Sequence, residues 1–400
     1  MTQVQSRRRI MWGAIFLMAT SSIGPAFLTQ TTVFTEQFLT SFAFAILASI
    51  IIDIGAQLNI WRIIAVSGKR GQDIANAVVP HLGSFIALLI VLGGLAFNIG
   101  NVAGAGMGIN VLFGIDVTTG AIIAGIIAII VFSVKDAGKA MDFVAMSLGV
   151  IMIAMVGYVM ITTKPPVGEA VYRAILPEDI GALVLPIITL VGGTVGGYIT
   201  FAGGHRLLDA GIKGKENIGL VSTAANLGIL TTGVMRVLLF LAVLGVVVAG
   251  NTLDPDNPAA SVFQIALGNV GYKMFGIVLF SAALTSIIGC AYTSVSFLRS
   301  FHPFFEKYNN WIIIGFIAFS TLVYALVGRP VTILVIAGSL NGLILPLTLG
   351  SILLASRNKK IVGEDYRHPT WLIAFGILAV IVTVVTGWFS LQGIADLWNK

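Results

Sequence analysis

Apolar runs of about twenty residues alternate with short polar segments along the whole chain. A helix needs roughly 20 apolar residues to cross the hydrocarbon core, and a helix satisfies its own backbone hydrogen bonds there. The pattern therefore predicts an all-α polytopic membrane protein with 11 transmembrane helices. These are predicted at residues 11–35, 38–61, 83–112, 118–134, 142–163, 180–206, 218–249, 270–297, 311–328, 331–355 and 369–391.

The composition supports this class and disfavours several others. Hydrophobic residues make up 57% of the chain and charged residues 10%, whereas a soluble domain carries about 25% charged residues. The single cysteine, Cys290, cannot support a disulfide framework, so we interpret it as a packing residue. No nucleotide-binding motif is found, which disfavours an ATP-driven pump. No Ser/His/Asp or metal-ligand constellation is found either, so we predict that the protein is not an enzyme.

The distribution of Lys and Arg predicts the orientation, because cytoplasmic loops carry an excess of these residues. Alternate loops are basic, and the loops between them are mixed or acidic, as in "NTLDPDNP" at 251–258. We therefore predict a cell membrane protein, from a bacterial inner membrane, with a cytoplasmic N-terminus and an outside C-terminus. The basic positions are Arg7, Arg8, Arg9, Arg62, Lys69, Arg70, Lys135, Lys139, Arg206, Lys213, Lys215, Arg299, Lys307, Arg357, Lys359, Lys360 and Arg367.

Two predicted helices are interrupted in mid-span. Gly24-Pro25 interrupts the first, because proline removes a hydrogen-bond donor and glycine weakens a helix. The stretch "GGTVGGYITFAGG" at 192–204 interrupts the sixth with six glycines in thirteen residues. Close packing through small residues explains either stretch alone. Together they are typical of a transporter with two inverted repeats of five helices, here about 10–163 and 180–355, followed by an extra helix at about 369–391.

Several motifs resemble those of the Nramp metal-ion transporters, a family with the LeuT-type fold. "MGINVLFGI" at 107–115 is similar to the end of the family's third helix, and "AVSGKRGQDIANA" at 65–77 to the segment after its second. "SLNGLILPLTLGSILLAS" is similar to the tenth helix, and "GGTV" at 192–195 to the start of the broken sixth. The resemblance implies a secondary active transporter with broken helices 1 and 6, working by alternating access.

The family's metal ligands do not match this sequence. The resemblance aligns the first-helix Asp-Pro-Gly-Asn of the family with Gly24-Pro25-Ala26-Phe27, and the sixth-helix Met falls on Gly196. These side chains offer no donor to a transition metal. The family's third-helix Asp and Glu, associated with proton passage, align with Asn98 and Asn101, which cannot relay a proton by ionising.

The residues at the breaks are instead typical of a site for a small organic molecule, apolar with a few polar groups. We predict a carboxylate or amino-acid-like substrate, for which 5-oxoproline is one candidate, with no cofactor and no bound metal. A coupling H⁺ or Na⁺ is left open, and symport is expected. The predicted substrate-binding residues are Gly24, Pro25, Ala26, Phe27, Gln30, Thr31, Thr194, Gly196, Gly197, Tyr198 and Thr200, with Phe201 as a further apolar wall.

Two ionisable residues, Asp53 and Arg236, fall inside predicted spans. Such residues are costly in lipid unless they pair or face water, and they commonly mark a function. Mutual pairing and a coupling role both remain open. The other functional alternatives are a divalent cation transporter of the Mn²⁺ or Mg²⁺ type with a redesigned site, and a membrane receptor. His81, His302 and His368 are predicted to lie in loops near helix ends, with solvated or interfacial side chains, and His205 at a cytoplasmic helix end.

Overall fold

The computed structural model describes residues 11–15, 18, 19, 22–134 and 137–399, without the side chains of residues 137–146, 300 and 390–399. Arg7, Arg8, Arg9 and Lys135, which contributed to the predicted orientation, lie outside the described residues, as does the side chain of Lys139. The regular secondary structure of the described part is helical.

The first helix, α1, covers the helical residues 11–15, 18, 19 and 22. The helices that follow are α2 (Pro25–Phe38), α3 (Phe42–Ser67), α4 (Gly71–Val78), α5 (Leu82–Phe113), α6 (Val117–Ser133), α7 (Ala137–Thr163), α8 (Val167–Arg173), α9 (Val184–Val195), α10 (Ile199–Asp209), α11 (Ile218–Val248), α12 (Pro258–Ser296), α13 (Pro303–Lys307), α14 (Asn309–Val327), α15 (Pro330–Ser356), α16 (Lys359–Val362) and α17 (Thr370–Asn399).

In the described part, eight helical segments are long and apolar enough to cross a membrane, or up to nine if a bent pair of helices counts as one span. This count is lower than the predicted eleven for three reasons. The predicted span at 142–163 is counted only if the bent pair Ser147–Thr163 and Val167–Arg173 is taken as one span. The segment Pro25–Ser67 holds parts of two predicted spans, because α2 continues into α3 through one tight turn. Helix α6 has 17 residues, at the lower end of the length that crosses a membrane, and it belongs to the shorter apolar helices that are not included in the count. The number eleven therefore stays a prediction.

Helix α12 is longer than the span predicted at 270–297. Gly268 has φ 65° and ψ −159°, so it breaks the helix and separates an additional helical segment from the predicted span. A positive φ is available to glycine at little cost. The sequence pattern did not separate this segment from the loop before it.

The buried core forms where α5 packs against α6, α12 and α15, while α11 packs against α3 and α7. A second, smaller apolar cluster joins α5, α6, α12 and α14. Many outward-facing side chains, such as Trp311 and Trp388, are large, apolar and exposed. Large apolar side chains on the outer surface are compatible with direct contact with the lipid tails of a bilayer.

Helices α9 and α15 touch backbone to backbone. A Cβ atom placed on Gly192 would lie 1.8 Å from the Gly338 carbonyl oxygen and 2.4 Å from the Gly342 nitrogen. A Cβ atom on Gly342 would lie 2.5 Å from the carbonyl oxygen of Ile188. Only glycine allows this distance, and small residues at helix interfaces permit such packing in membrane proteins.

Candidate functional site

The first helix break lies between α1 and α2, where the sequence predicts it. Gly24 is extended and caps α2 without a side-chain hydrogen bond, and Pro25 is the first residue of the helix. A Cβ atom on Gly24 would lie 3.0 Å from Ser286 Oγ and 3.8 Å from Asn101 Oδ1. Polar side chains of α5 and α12 therefore face this break.

The second break lies between α9 and α10. Gly196 is extended, with φ −78° and ψ 158°, and Gly197 has a φ of +53°. The side chain of Asn341 in α15 approaches so closely that a Cβ atom on Gly197 would lie 1.9 Å from its Oδ1 atom. Glycine is needed at Gly197 for both its φ angle and this contact.

The two breaks are in direct contact with each other. Ser22 Oγ, at the end of α1, donates a hydrogen bond to the carbonyl oxygen of Thr194 at 3.2 Å. Gln30 is fully buried, and its Nε2 atom donates to the carbonyl oxygen of Leu334 at 2.7 Å. A Cβ atom on Gly193 would lie 3.0 Å from Gln30 Oε1, so this side chain also faces α9.

Both half-helices that start at the breaks lack a side-chain cap. No side-chain hydrogen bond caps α2 at Gly24, and none caps α10 at Tyr198. At α10 the Ile199 and Phe201 N–H groups donate to the carbonyl oxygens of Gly196 and Tyr198, so the positive end of the helix dipole is the feature that both termini share. Two such termini at one place favour an anionic group.

Five buried polar atoms around the breaks have no hydrogen-bond partner. Buried polar groups are normally bonded, because burying one without a partner costs free energy. These five are neutral and come from five different helices, so together they offer hydrogen bonds to a polar molecule. They are Gln30 Oε1, Asn101 Nδ2, Thr200 Oγ1, Ser286 Oγ and Asn341 Oδ1.

Two of the predicted site threonines have hydroxyls that are already bonded within their own helices. Thr31 Oγ1 donates to the carbonyl oxygen of Phe27 at 2.7 Å, and Thr194 Oγ1 donates to that of Leu190 at 2.9 Å. Thr200 differs, since its hydroxyl is without a partner. Among the predicted threonines, Thr200 is therefore the one whose hydroxyl proton is free for a ligand.

Aromatic rings line the breaks unequally. Tyr198 lies edge-on to Phe97, with ring centroids 6.0 Å apart, and it is buried at the second break. Phe201 does not line the break, contrary to our expectation. Its ring packs against His205 and Phe297 at centroid distances of 5.3 and 5.6 Å. It lies one turn further along α10, toward α4.

Asp53 and Arg236 line one narrow cleft, together with Thr194 of α9. Both side chains are almost fully buried, and the guanidinium carbon of Arg236 lies 4.4 Å from the ring centroid of Phe27. Asp53 Oδ1 has no hydrogen-bond partner, nor do Arg236 Nε and Nη2. The charged residues thus lie beside both broken helices, next to α9 through Thr194 and next to α2 through Phe27.

The two asparagines of α5 face different neighbours. Asn98 Nδ2 donates to Ser320 Oγ of α14 at 3.2 Å, whereas Asn101 faces Gly24. The structure therefore brings Asn101 to the breaks and directs Asn98 toward α14.

The site is closed on the side of α4. Trp61 Nε1 donates to the carbonyl oxygen of Thr200 at 2.6 Å, and His205 Nε2 accepts from the Gly71 backbone N–H at 3.1 Å. An exposed ion pair joins Arg70 to Asp209 at 2.7 Å. Helix α10 is thus held against α3 and α4.

Two site residues, Ser286 and Asn341, were not predicted from the sequence. Asn341 Nδ2 donates to the carbonyl oxygens of Gly93 and Ala337, both at 2.9 Å, which leaves its Oδ1 atom beside the second break. An asparagine inside an apolar run is a usable signal, and "SLNGL" contains it. A lone serine in "ALTSIIG" is too common to single out.

His368 lies in the loop before α17, as predicted, but its side chain is neither solvated nor interfacial. Its side chain is buried, with Nε2 2.8 Å from Asn59 Oδ1 and Nδ1 2.8 Å from the Tyr366 hydroxyl. Asn59 Nδ2 already donates to two carbonyl oxygens, so Asn59 Oδ1 accepts from Nε2 and Nδ1 accepts from Tyr366. Burial, and then the nearby Arg62, lower the pKa of His368 from 6.5 to about 4. His81 and His302 are exposed, as predicted, while His205 is buried.

Two broken helices in contact inside an apolar helical bundle define a membrane transporter of the LeuT-type fold. A manganese transporter of Eremococcus coleocola superposes with a TM-score of 0.73 at 14% identity, covering 97% of this chain and 86% of that chain. MhsT in complex with L-phenylalanine superposes with a TM-score of 0.64 at 15% identity, covering 94% and 98%.

The chain belongs to the Nramp family. The family model described as "Natural resistance-associated macrophage protein-like" matches residues 15–392. The "Uncharacterized membrane protein YcsG" of Bacillus subtilis (strain 168) is 60% identical over 391 residues, which cover 98% of this chain and 96% of that protein. The predicted family, the LeuT-type fold and the class of membrane transporter are therefore confirmed.

Proposed function

We propose that this protein is a secondary active transporter that moves a small organic carboxylate or amino-acid-like solute by alternating access. 5-Oxoproline is a candidate within this class. The observation that carries the proposal is the set of five neutral, unpartnered polar atoms around two uncapped half-helix termini.

The uncapped termini support an anionic group on the solute. A carboxylate accepts hydrogen bonds from backbone N–H groups, and the helix dipole favours its charge. Gly24, Gly196 and Gly197 have no side chain between the backbone and a ligand. Buried Ala26 and Tyr198 supply apolar walls, as organic ligand sites require.

The donor set disfavours a soft or borderline divalent metal as the solute. Such metals prefer thiolate, thioether, imidazole or carboxylate ligands, and the five unpartnered atoms are amides and hydroxyls. In the part of the chain that the structure describes, no group of three or more His, Cys, Asp or Glu residues is placed to hold a metal ion. The fold does not decide the question, since it belongs to a manganese transporter and to a protein complexed with L-phenylalanine.

A hard divalent cation such as Mg²⁺ is the second candidate, and membership of a metal-transporting family favours it. Hard cations accept neutral oxygens and water as ligands. Gln30 Oε1 and Asn341 Oδ1 are such oxygens and have no partner. This candidate predicts binding of Mg²⁺ or Mn²⁺ without any organic anion.

A thermal-shift screen of the purified protein separates the two candidates. We would compare 5-oxoproline, proline and lactate, each beside its carboxamide, with Mg²⁺ and Mn²⁺. A ligand at about 100 times its Kd adds roughly 2.7 kcal/mol of stability, which gives a clear shift. Stabilisation by a carboxylate but not by its carboxamide supports the proposal. Stabilisation by micromolar Mn²⁺ and by no organic compound contradicts it.

Two variants then test the location of the site without disturbing the fold. Thr200→Val and Ser286→Ala each remove an unpartnered hydroxyl, so the melting temperature without ligand should not fall. If the hydroxyl binds the solute, affinity should fall by about 1 kcal/mol, roughly fivefold. Ser351→Ala is the matched control, because this buried serine donates to its own helix at 2.8 Å. Unchanged affinity in both variants would place the solute elsewhere.

A further inference from the structure

Among the described residues near the breaks, Asp53 and Arg236 are the buried charged side chains, and both line one cleft. Asp53 is 1% exposed and Arg236 is 2% exposed. Charged side chains at such a depth are costly unless each has a partner. A simple structural pair would satisfy both groups through direct hydrogen bonds.

The side chains do not form such a pair. No ion pair joins them, and one carboxyl oxygen and two guanidinium nitrogens have no hydrogen-bond partner. The remaining described residues of the cleft cannot neutralise either charge, because they are aliphatic, glycine or hydroxyl residues of α3, α9 and α11. They are Ile50, Thr194, Ile229, Thr232 and Gly233.

Arg236 is placed at the first break by its contact with Phe27. The guanidinium lies over this ring at 4.4 Å, a cation–π contact that leaves the edge of the guanidinium free to donate hydrogen bonds. Phe27 is the third residue of α2, next to the uncapped helix terminus. A carboxylate bound at that terminus would therefore lie near the guanidinium of Arg236. The planar guanidinium can bind a carboxylate through two parallel hydrogen bonds.

We propose that Arg236 binds the carboxylate of the transported solute and that Asp53, the carboxylate beside it in the same cleft, takes up a proton when the solute binds. This inference rests on the proposed function and deepens it. It names the residue that recognises the anion and the residue that binds the coupling ion.

The charge balance explains why a proton accompanies the solute. Before binding, one guanidinium and one carboxylate share the cleft, so their charges sum to zero. A solute carboxylate adds a second negative charge in a medium of low dielectric, where two adjacent carboxylates do not both remain ionised. A proton on Asp53 restores the balance, and one H⁺ then crosses with each monocarboxylate without net charge movement.

The titratable groups that face this cleft are few. From α3 and α11 they are Asp53 and Arg236 themselves. Described residues that face it from the other packed helices are Met18 of α1, Phe27 of α2 and Thr194 of α9, none of which titrates near neutral pH. The pH dependence of binding is thus expected to report Asp53.

Binding measurements on the full-length protein test the anion site first. The probes are 5-oxoproline, proline and lactate, each beside its carboxamide, across a pH series. We expect Arg236→Gln to weaken carboxylate binding roughly ten- to hundredfold and to leave carboxamide binding unchanged. We expect Asp53→Asn, which is permanently neutral, to keep carboxylate binding and lose its pH dependence. The exposed charges Asp256 and Lys307 provide the controls Asp256→Asn and Lys307→Gln.

Transport in proteoliposomes tests the coupling. Wild-type uptake should be driven by an inward proton gradient and should not depend on the membrane potential. The Asp53→Asn variant should exchange solute across the membrane, and its uptake should not respond to the proton gradient. The charge-swapped double variant Asp53→Arg with Arg236→Asp tests a purely structural pair. Wild-type transport by the swapped variant, or Asp53→Asn uptake that still follows the gradient, would overturn the inference.

The outcomes distinguish this inference from the proposed function. If the wild-type protein binds none of the carboxylates, the proposed function fails and the inference with it. If it binds a carboxylate and Arg236→Gln binds it equally well while remaining folded by its melting temperature, only the inference fails.

Discussion

Gly197→Ala is the most direct test of the second break. Two costs follow from the structure. A residue other than glycine at φ +53° loses about 1–2 kcal/mol. The added methyl group would lie 1.9 Å from Asn341 Oδ1, and overpacking of this kind costs about 1–3 kcal/mol. The closed conformation should therefore lose about 2–5 kcal/mol, since the two costs act together.

Two control glycines separate these costs. Gly114 has φ +71° and nothing within 4 Å of an added Cβ atom, so Gly114→Ala carries the backbone cost alone. Gly289 has open space and no positive φ, so Gly289→Ala should be neutral or slightly stabilising. Melting temperatures of the three variants in detergent, with hydrogen exchange at α10, give the comparison.

The double variant Gly197→Ala with Asn341→Ala completes the test. Removing the Asn341 side chain relieves the overlap, so the double variant should be more stable than the sum of the single losses predicts, by about 1–3 kcal/mol. If Gly197→Ala loses no more stability than Gly114→Ala, the contact with Asn341 does not constrain the break, and our account of it is refuted.

Three further predictions address other contacts. Gly104→Ala places a methyl group 2.2 Å from Pro25 Cβ, so it should lower the melting temperature and the solute affinity together; an unchanged affinity would separate the first break from the site. His368 is held neutral with its pKa near 4 instead of 6.5, so its contribution to stability is present above pH 6.5 and is lost as pH falls toward 4; the melting temperature of His368→Gln should change less over this range than that of the wild type. Trp61→Phe removes the hydrogen bond from Nε1 to the Thr200 carbonyl oxygen and should destabilise the closed end by about 0.5–1.5 kcal/mol, seen as faster hydrogen exchange in α10; equal exchange rates would contradict this.

The helix breaks could be predicted because their causes are local. Pro25 cannot donate a backbone hydrogen bond, and Gly196-Gly197 weakens a helix regardless of what packs against it. The family could also be predicted, because short motifs keep their order along the chain. These features need no knowledge of which segments meet in space.

The rest depends on contacts between distant segments. Ser286 and Asn341 join the site because α12 and α15 pack beside the breaks, and neither sequence context shows this. His368 is buried because its loop folds onto Asn59, more than 300 positions earlier in the chain. The break at Gly268 follows from a positive φ angle that many glycines in the sequence do not adopt.

The sixth span consists of α9 and α10, and these two helices are attached to the rest of the bundle in different ways. Gly192 of α9 and Gly342 of α15 each lie directly against the backbone of the other helix. Helix α9 therefore cannot slide or rotate along α15 without a steric clash. Helix α10 is held by two hydrogen bonds and one exposed ion pair to α3 and α4 and by side-chain packing, in which Phe201 contacts Phe297 and Gly203 lies against Trp61. Gly196 and Gly197 therefore connect a helix fixed by backbone contact with α15 to a helix fixed by side-chain contacts with α3 and α4, and a movement of α10 about these glycines would require those side-chain contacts to break.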